Sequence, residues 1–156
     1  MKKFLLSFLL LFNFLFAADS LVGKEYKDLN LKQELCPIKN VSIEKYIDWL
    51  GYIEFADGSI VAISSPKYTF VYYFIEEKNN KNIKGIYLTD NKTKKIINAK
   101  NAFYVFGSNL MSIGGDDVIP FSEEEDSKEF FDRAHGKKIF KYERMTENFI
   151  NYLDLR

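Results

Sequence analysis

Two segments of this chain, roughly fifty residues apart, show the same order of predicted elements: two strands, a helix and a third strand. A single unit of this kind has too few strands to bury a stable core, so the two are expected to pack against each other. The predicted fold class is therefore α+β, with two small strand-strand-helix-strand units packed together. We place the first unit at residues 46–97 and the second, with a C-terminal helix, at residues 98–156.

The first unit is defined by turn and cap signals. Its strands are predicted at residues 49–55, 59–63 and 83–89. Asp57-Gly58 is typical of a hairpin turn, and Ser65-Pro66 matches an N-cap followed by proline at the first helical position. Residues 68–75 are aromatic and β-branched, which favours a strand by propensity. Because the helix-start signal is the more specific one, we predict a helix over residues 66–77.

The second unit carries a similar set of signals. Its strands are predicted at residues 102–106, 118–121 and 138–142. Ser122 with Glu125 three residues later matches a capping box, and the helix that follows is predicted to stop at Gly136. Residues 145–155 are predicted to form a final amphipathic helix.

The N-terminus has the layout of a secretory signal. Two lysines precede a short apolar run at residues 4–16, and small residues follow from Ala17. We predict a signal peptide at residues 1–17 and a periplasmic protein. The apolar run is shorter than the roughly 20 residues that a membrane helix needs, so no integral span is expected after cleavage. Residues 18–45 are predicted to form an extended arm or a short frayed helix carrying Cys36.

Composition excludes some partners. After removal of the signal, 20 basic and 22 acidic residues remain, and the only arginines are Arg133, Arg144 and Arg156. A chain with nearly balanced, interspersed charge has no electrostatic reason to bind nucleic acid. Cys36 is the only cysteine, so it cannot form an intramolecular disulfide. The oligomeric state is not predicted.

Several short motifs occur in a characteristic order. They are Leu35-Cys36-Pro37, Tyr46-Ile47-Asp48-Trp49, Asp57-Gly58, Ala102-Phe103-Tyr104-Val105-Phe106-Gly107-Ser108, Ile119-Pro120-Phe121 and His135-Gly136-Lys137-Lys138. Together they resemble the NosL family, the accessory proteins of nitrous-oxide reductase maturation. The resemblance implies a periplasmic protein of two small α+β units that binds one Cu(I) ion and delivers it to a copper enzyme.

The family's ligand positions differ in this chain. Members usually continue as Cys-Pro-x-Cys-Gly-Met, whereas here the last three positions are Lys39-Asn40-Val41. The family places Met-Gly ahead of an acidic residue and Ile-Pro-Phe. Here Gly114 or Gly115 stands where that methionine is expected, and Met111 lies a few residues earlier. Of the cysteines and methionine in the family's Cys-Pro-x-Cys-Gly-Met motif, this chain has only the first cysteine, Cys36.

Three side chains are the metal-ligand candidates: Cys36, Met111 and His135. Thiolate favours soft metals, but Cys36 is also compatible with a packed core side chain or with an intermolecular disulfide to a redox partner. Met111 lies in a loop of small residues, where it could complete a Cu(I) site or cap the edge of the core. His135 follows a predicted helix, and a capping or surface role is favoured over metal binding.

Two functions follow as hypotheses, both with a periplasmic protein partner. The first is a Cu(I) carrier or chaperone that uses Cys36, Met111 and His135. The alternative is a metal-free binding or assembly module that keeps the fold. An enzyme is not expected, since Ser64-Ser65 lacks a nearby histidine and the glycines of a nucleophile elbow. Asp116-Asp117 lacks the spacing of a calcium loop and is predicted to be a turn.

Overall fold

Two antiparallel sheets form the framework of the protein in the computed structural model, which describes residues 21–155. The strands are β1 Gly51–Phe55, β2 Ile60–Ile63, β3 Ile83–Thr89, β4 Ile96–Asn98, β5 Phe103–Phe106, β6 Val118–Phe121 and β7 Lys138–Phe140. The α-helices are α1 Pro66–Lys78, α2 Glu124–Arg133 and α3 Glu147–Leu153. Short 3₁₀ turns cover Tyr26–Leu29, Ile43–Trp49, Ala99–Asn101 and Tyr142–Arg144.

The strand order confirms the predicted fold class. The first sheet has the order β2-β1-β3-β4 and the second the order β6-β5-β7. In each, the first strand of the unit lies between the strand before the helix and the strand after it. The exception is β4, which was not predicted. It has three residues and pairs with β3 through Thr89 and Ile96, so partner contacts define it more than its own pattern does.

Helix α1 is a helix despite its strand-like composition. The Ser65 hydroxyl accepts a hydrogen bond from the Tyr68 amide at 3.3 Å, and Pro66 is the first helical residue. This cap satisfies a donor that the first turn cannot bond internally. The side chain of Phe70 is fully buried. Capping and core packing therefore outweigh the local β preference of this segment.

The predicted capping box of α2 is wrong. The N-cap of α2 is Glu123, which makes no side-chain cap bond. The Ser122 amide and hydroxyl instead donate to Asp90 Oδ2, at 2.7 and 2.5 Å. Asp90 follows β3 in the first unit and is fully buried. Ser122 therefore bonds a buried carboxylate of the first unit instead of capping α2 as the local pattern predicts.

Helix α2 also ends earlier than predicted. Its last residue is Arg133, and His135 adopts the left-handed conformation with φ of 55°. The Gly136 amide donates to the Phe131 carbonyl at 2.8 Å, which closes the end of the helix. His135, and not Gly136, is thus the left-handed residue of the cap.

The buried residues form one large core and one small one. The large core contains the buried apolar side chains of the first unit and also Tyr104 and Val118 of the second sheet. The buried face of α3 belongs to it, through Phe149, Ile150 and Leu153. The small core lies between α2 and the second sheet; its buried residues are Val105, Ile119, Phe121, Phe130 and Ala134. Side chains of both sheets therefore pack together in the large core.

The N-terminal arm is tied to the edge of the first sheet. The Gly23 amide donates to the Ile96 carbonyl, and the Ile96 amide donates to the Lys24 carbonyl. Leu21 is buried in the large core. The predicted signal peptide at residues 1–17 lies outside the described residues. No helix between residues 21 and 155 is long and apolar enough to cross a bilayer.

Candidate metal site at the start of helix α1

Cys36 lies in a short closed loop. An isolated bridge joins Leu35 to Ser42, the Cys36 amide donates to the Val41 carbonyl at 2.8 Å, and the Asn40 amide donates back to the Cys36 carbonyl at 2.8 Å. Asn40 takes the left-handed conformation that this turn requires, with φ of 52°. The loop closes around the cysteine, whose exposed fraction is 1%.

The sulfur of Cys36 faces the start of α1. The Ser64 amide and hydroxyl donate to Sγ at 3.5 and 3.3 Å. Ser64 is itself fully buried, one residue before the N-cap of α1. Ser64 thus contributes two hydrogen-bond donors and no metal ligand of the kind that a soft metal prefers. Cys36 itself is therefore the soft metal ligand that lies beside the start of α1.

The three predicted ligand residues occupy different environments. Cys36 is buried, whereas 59% of Met111 is exposed on the loop between β5 and β6. His135 is exposed at the end of α2. Between residues 21 and 155, no three or more histidine, cysteine, aspartate or glutamate side chains are grouped so that they could hold a metal ion. A Cu(I) site drawn from these residues would need a thioether, an imidazole or a donor from another protein beside Cys36.

The loop that carries Met111 packs against the first turn of α1. The Lys67 ammonium donates to the Gly114 carbonyl at 2.7 Å. A Cβ atom at Gly114 would lie 2.6 Å from the Tyr68 ring, so only glycine permits this approach. From the Cys36 loop, the Lys39 ammonium lies 5.1 Å from the centroid of the same ring. Both loops that the sequence singled out thus meet at Tyr68.

Asp117 anchors the base of the Met111 loop. Its Oδ1 atom accepts from the Lys67 amide at 2.7 Å and from the Val118 amide at 2.8 Å. Its Oδ2 atom is buried and has no hydrogen-bond partner among the described residues. Burial raises the pKa of Asp117 to about 6, although nearby Ser112 and Ser65 hydroxyls and the bonded amides act in the opposite direction. Sequence reasoning treated Asp117 as a turn residue, because its role depends on burial by α1.

The raised pKa predicts how stability changes with pH. The folded state holds the Asp117 proton more tightly than the unfolded chain, whose ordinary pKa is 3.8. Its contribution to stability is therefore fully present below about pH 4 and is lost as the pH rises to about 6. We expect this loss to be about 3 kcal/mol, because one pKa unit corresponds to about 1.4 kcal/mol.

Asp117→Asn is the variant that checks this expectation. Asparagine keeps an oxygen for the two amides and cannot ionise, so the fall in stability between about pH 4 and 6 should disappear. Urea unfolding at a series of pH values measures it. An unchanged pH profile in Asp117→Asn would show that Asp117 is not the group responsible.

Comparison with known proteins identifies the family. The NosL family model matches residues 29–150, which include the Cys36 loop, both sheets and the Met111 loop. The chain therefore belongs to the NosL family, as the sequence motifs predicted.

A solved structure shares the fold. The crystal structure of the copper chaperone NosL from Shewanella denitrificans matches with a TM-score of 0.64 at 20% sequence identity. The match covers 73% of this chain and 90% of that chain. No match to this chain was found among curated proteins.

Proposed function

We propose that this chain is a periplasmic accessory protein that carries Cu(I) as cargo and passes it to a partner enzyme. The observation that carries the proposal is the thiol of Cys36, placed at the start of α1 in a NosL fold. Thiolate is a preferred ligand of Cu(I). The related chaperone from Shewanella denitrificans, which shares the fold, supports copper as the cargo.

The carrier mechanism is ligand exchange. Cys36 loses its proton and binds Cu(I), and a second soft donor completes a shell of low coordination number. We propose Met111 as that donor, since its loop packs on the same helix turn and its side chain is exposed. His135 is the remaining candidate from this chain. An acceptor then supplies its own donors, the Cu–S bond to Cys36 breaks, and the thiolate takes up a proton.

A Cu(I) competition titration tests the carrier function. We expect the mature protein to bind one equivalent, and Cys36→Ser to weaken binding by at least about a hundredfold, equal to about 2.8 kcal/mol. Met111→Leu should weaken binding by a smaller factor. Met145→Leu is the matched control, because Met145 is a buried core methionine outside the proposed site. Absence of saturable binding, or binding that is indifferent to Cys36→Ser, would contradict the carrier function.

The second candidate function is a metal-free binding or assembly module. Two observations favour it: the exposed fraction of Cys36 is 1%, and the Lys67 ammonium bonds the carbonyl of Gly114, one of the two glycines at which the family resemblance places a methionine. A carrier gains stability from its cargo, because a ligand that binds only the folded state raises the unfolding temperature. A module of this kind should unfold at the same temperature with and without equimolar Cu(I). Thermal unfolding under strictly reducing conditions separates the two functions.

A further inference from the structure

Lys67 is the most deeply buried charged side chain at the candidate site. Its side chain is fully buried, and its ammonium has two oxygen partners, the Gly114 carbonyl and the Asp154 carboxylate, each at 2.7 Å. The ammonium also lies 5.2 Å from the Tyr68 ring centroid. One cation therefore joins three segments: the first turn of α1, the Met111 loop and the residue that follows α3.

The two partners of Lys67 have unequal access to solvent. The Asp154 side chain is 49% exposed, whereas the ammonium that it neutralises is sealed in the interior. Among residues 21–155, Asp154 is the carboxylate that forms an ion pair with Lys67. Removing the counter-ion of a buried charge destabilises the folded protein, because the charge stays buried without compensation. The position of the ammonium, and with it the bond to Gly114, therefore depends on a carboxylate at the surface.

The Met111 loop has further internal hydrogen bonds that report on its order. The Ser112 amide and the Gly115 amide each donate to the other residue's carbonyl, at 3.0 and 3.1 Å. The Gly114 amide donates to the Ser112 hydroxyl at 3.0 Å. These amides exchange slowly only while the loop keeps its present shape.

We propose that the Lys67–Asp154 ion pair is a latch that holds the Met111 loop against the start of α1. Lys67 and Asp154 act as positioning residues: they contact the loop backbone and each other, and they set where Met111 lies relative to Cys36. The effect of the latch on Cu(I) binding rests on the proposed carrier function. The effect of the latch on the order of the Met111 loop does not depend on that function.

Hydrogen exchange of the metal-free mature protein tests the latch. In Asp154→Asn we expect the Ser112, Gly114 and Gly115 amides to exchange about tenfold faster, as expected for loss of one charge-assisted contact. Lys67→Met keeps the apolar stem and removes the ammonium, and it should give a similar increase. The double variant should exchange no faster than Lys67→Met, because both changes remove the same contact.

A second ion pair between α1 and α3 provides the matched control. Lys78 pairs with Glu147 at the other end of α1, and both side chains are substantially exposed. Glu147→Gln should leave exchange of the loop amides unchanged. Unchanged exchange in Asp154→Asn, an equal increase in Glu147→Gln, or an additive double variant would each overturn the latch. Because Asp154 is half exposed, Asp154→Asn provides a folded test even if Lys67→Met does not fold.

A Cu(I) titration of the same variants measures whether the latch affects Cu(I) affinity. If the protein binds Cu(I) and the latch positions Met111, Asp154→Asn should change the Cu(I) affinity while Glu147→Gln should not. Faster loop exchange with an unchanged affinity would overturn the role of the latch in cargo binding. If the protein binds no Cu(I), the carrier function fails, and the exchange experiment still decides the latch.

Discussion

Asp90→Ala is expected to destabilise the protein by about 4 kcal/mol, because it removes the buried acceptor of four part-buried donors. Asp90 is fully buried between the two units. Its Oδ1 atom accepts from the Lys92 and Thr93 amides, at 2.7 and 3.0 Å. Its Oδ2 atom accepts from the Ser122 amide and hydroxyl. One carboxylate thus shapes the turn between β3 and β4 and fastens it to the end of β6.

Urea unfolding of a small variant set measures this effect. Asp90→Asn keeps an acceptor for the turn amides but presents an NH₂ group in place of the second oxygen. We therefore expect its free energy of unfolding to fall by roughly half as much as that of Asp90→Ala. Ser122→Ala removes a single hydroxyl and should cost about 1 kcal/mol.

An exposed aspartate supplies the control for Asp90. Asp57 makes a similar local turn, accepting from the Ser59 amide at 2.9 Å and the Ser59 hydroxyl at 2.6 Å, but it lies at the surface. Water can replace its bonds, so Asp57→Ala should destabilise the protein much less. If Asp90→Ala cost no more than Asp57→Ala, the junction between the units would not depend on this carboxylate.

Gly51→Ala is expected to have the next largest effect, a loss of about 3 kcal/mol or failure to fold. A Cβ atom at this first residue of β1 would lie 2.1 Å from Thr69 Oγ1 and 2.8 Å from a methyl of Leu88. Neither neighbour has room to move: Thr69 is buried in α1 with its hydroxyl bonded to the Ser65 carbonyl at 2.8 Å, and Leu88 is buried in β3. The helix would therefore have to move away from the sheet.

A double-mutant cycle checks the cause of the Gly51 effect. Thr69→Ala removes the oxygen that meets the new Cβ atom, so the cost of Gly51→Ala should be smaller in the Thr69→Ala background. Gly58→Ala serves as the control, because its Cβ atom would meet nothing within 4 Å and only the backbone cost remains. Equal costs of Gly51→Ala in both backgrounds would show that helix packing at Thr69 is not the cause.

Prediction succeeded where the signal was local. The Asp57-Gly58 turn joins β1 to β2, and Ser65-Pro66 starts α1, both as expected. Each depends on a few adjacent residues whose side chains bond their own backbone, so the pattern and the structure coincide. The family motifs also succeeded, because their order along the chain reflects the order of elements in the fold.

Prediction failed where a distant segment competed for the same group. Ser122 matched a capping box, but a carboxylate from the other unit binds it instead. Strand β4 needs β3 beside it, and Asp117 owes its raised pKa to burial rather than to its neighbours in sequence. Local patterns carry no information about which distant group will pack against a residue in the folded protein.

The sequence by itself determined most of the order of elements, the family and the one thiol, Cys36. The tertiary structure decided that this sulfur is buried against Ser64 and that a buried ammonium, paired with Asp154, holds the Met111 loop. The physical reason is that hydrogen bonding within a turn or cap involves neighbours along the chain. Burial, desolvation and ion pairing depend on contacts between residues as far apart as 67 and 154, which only folding brings together.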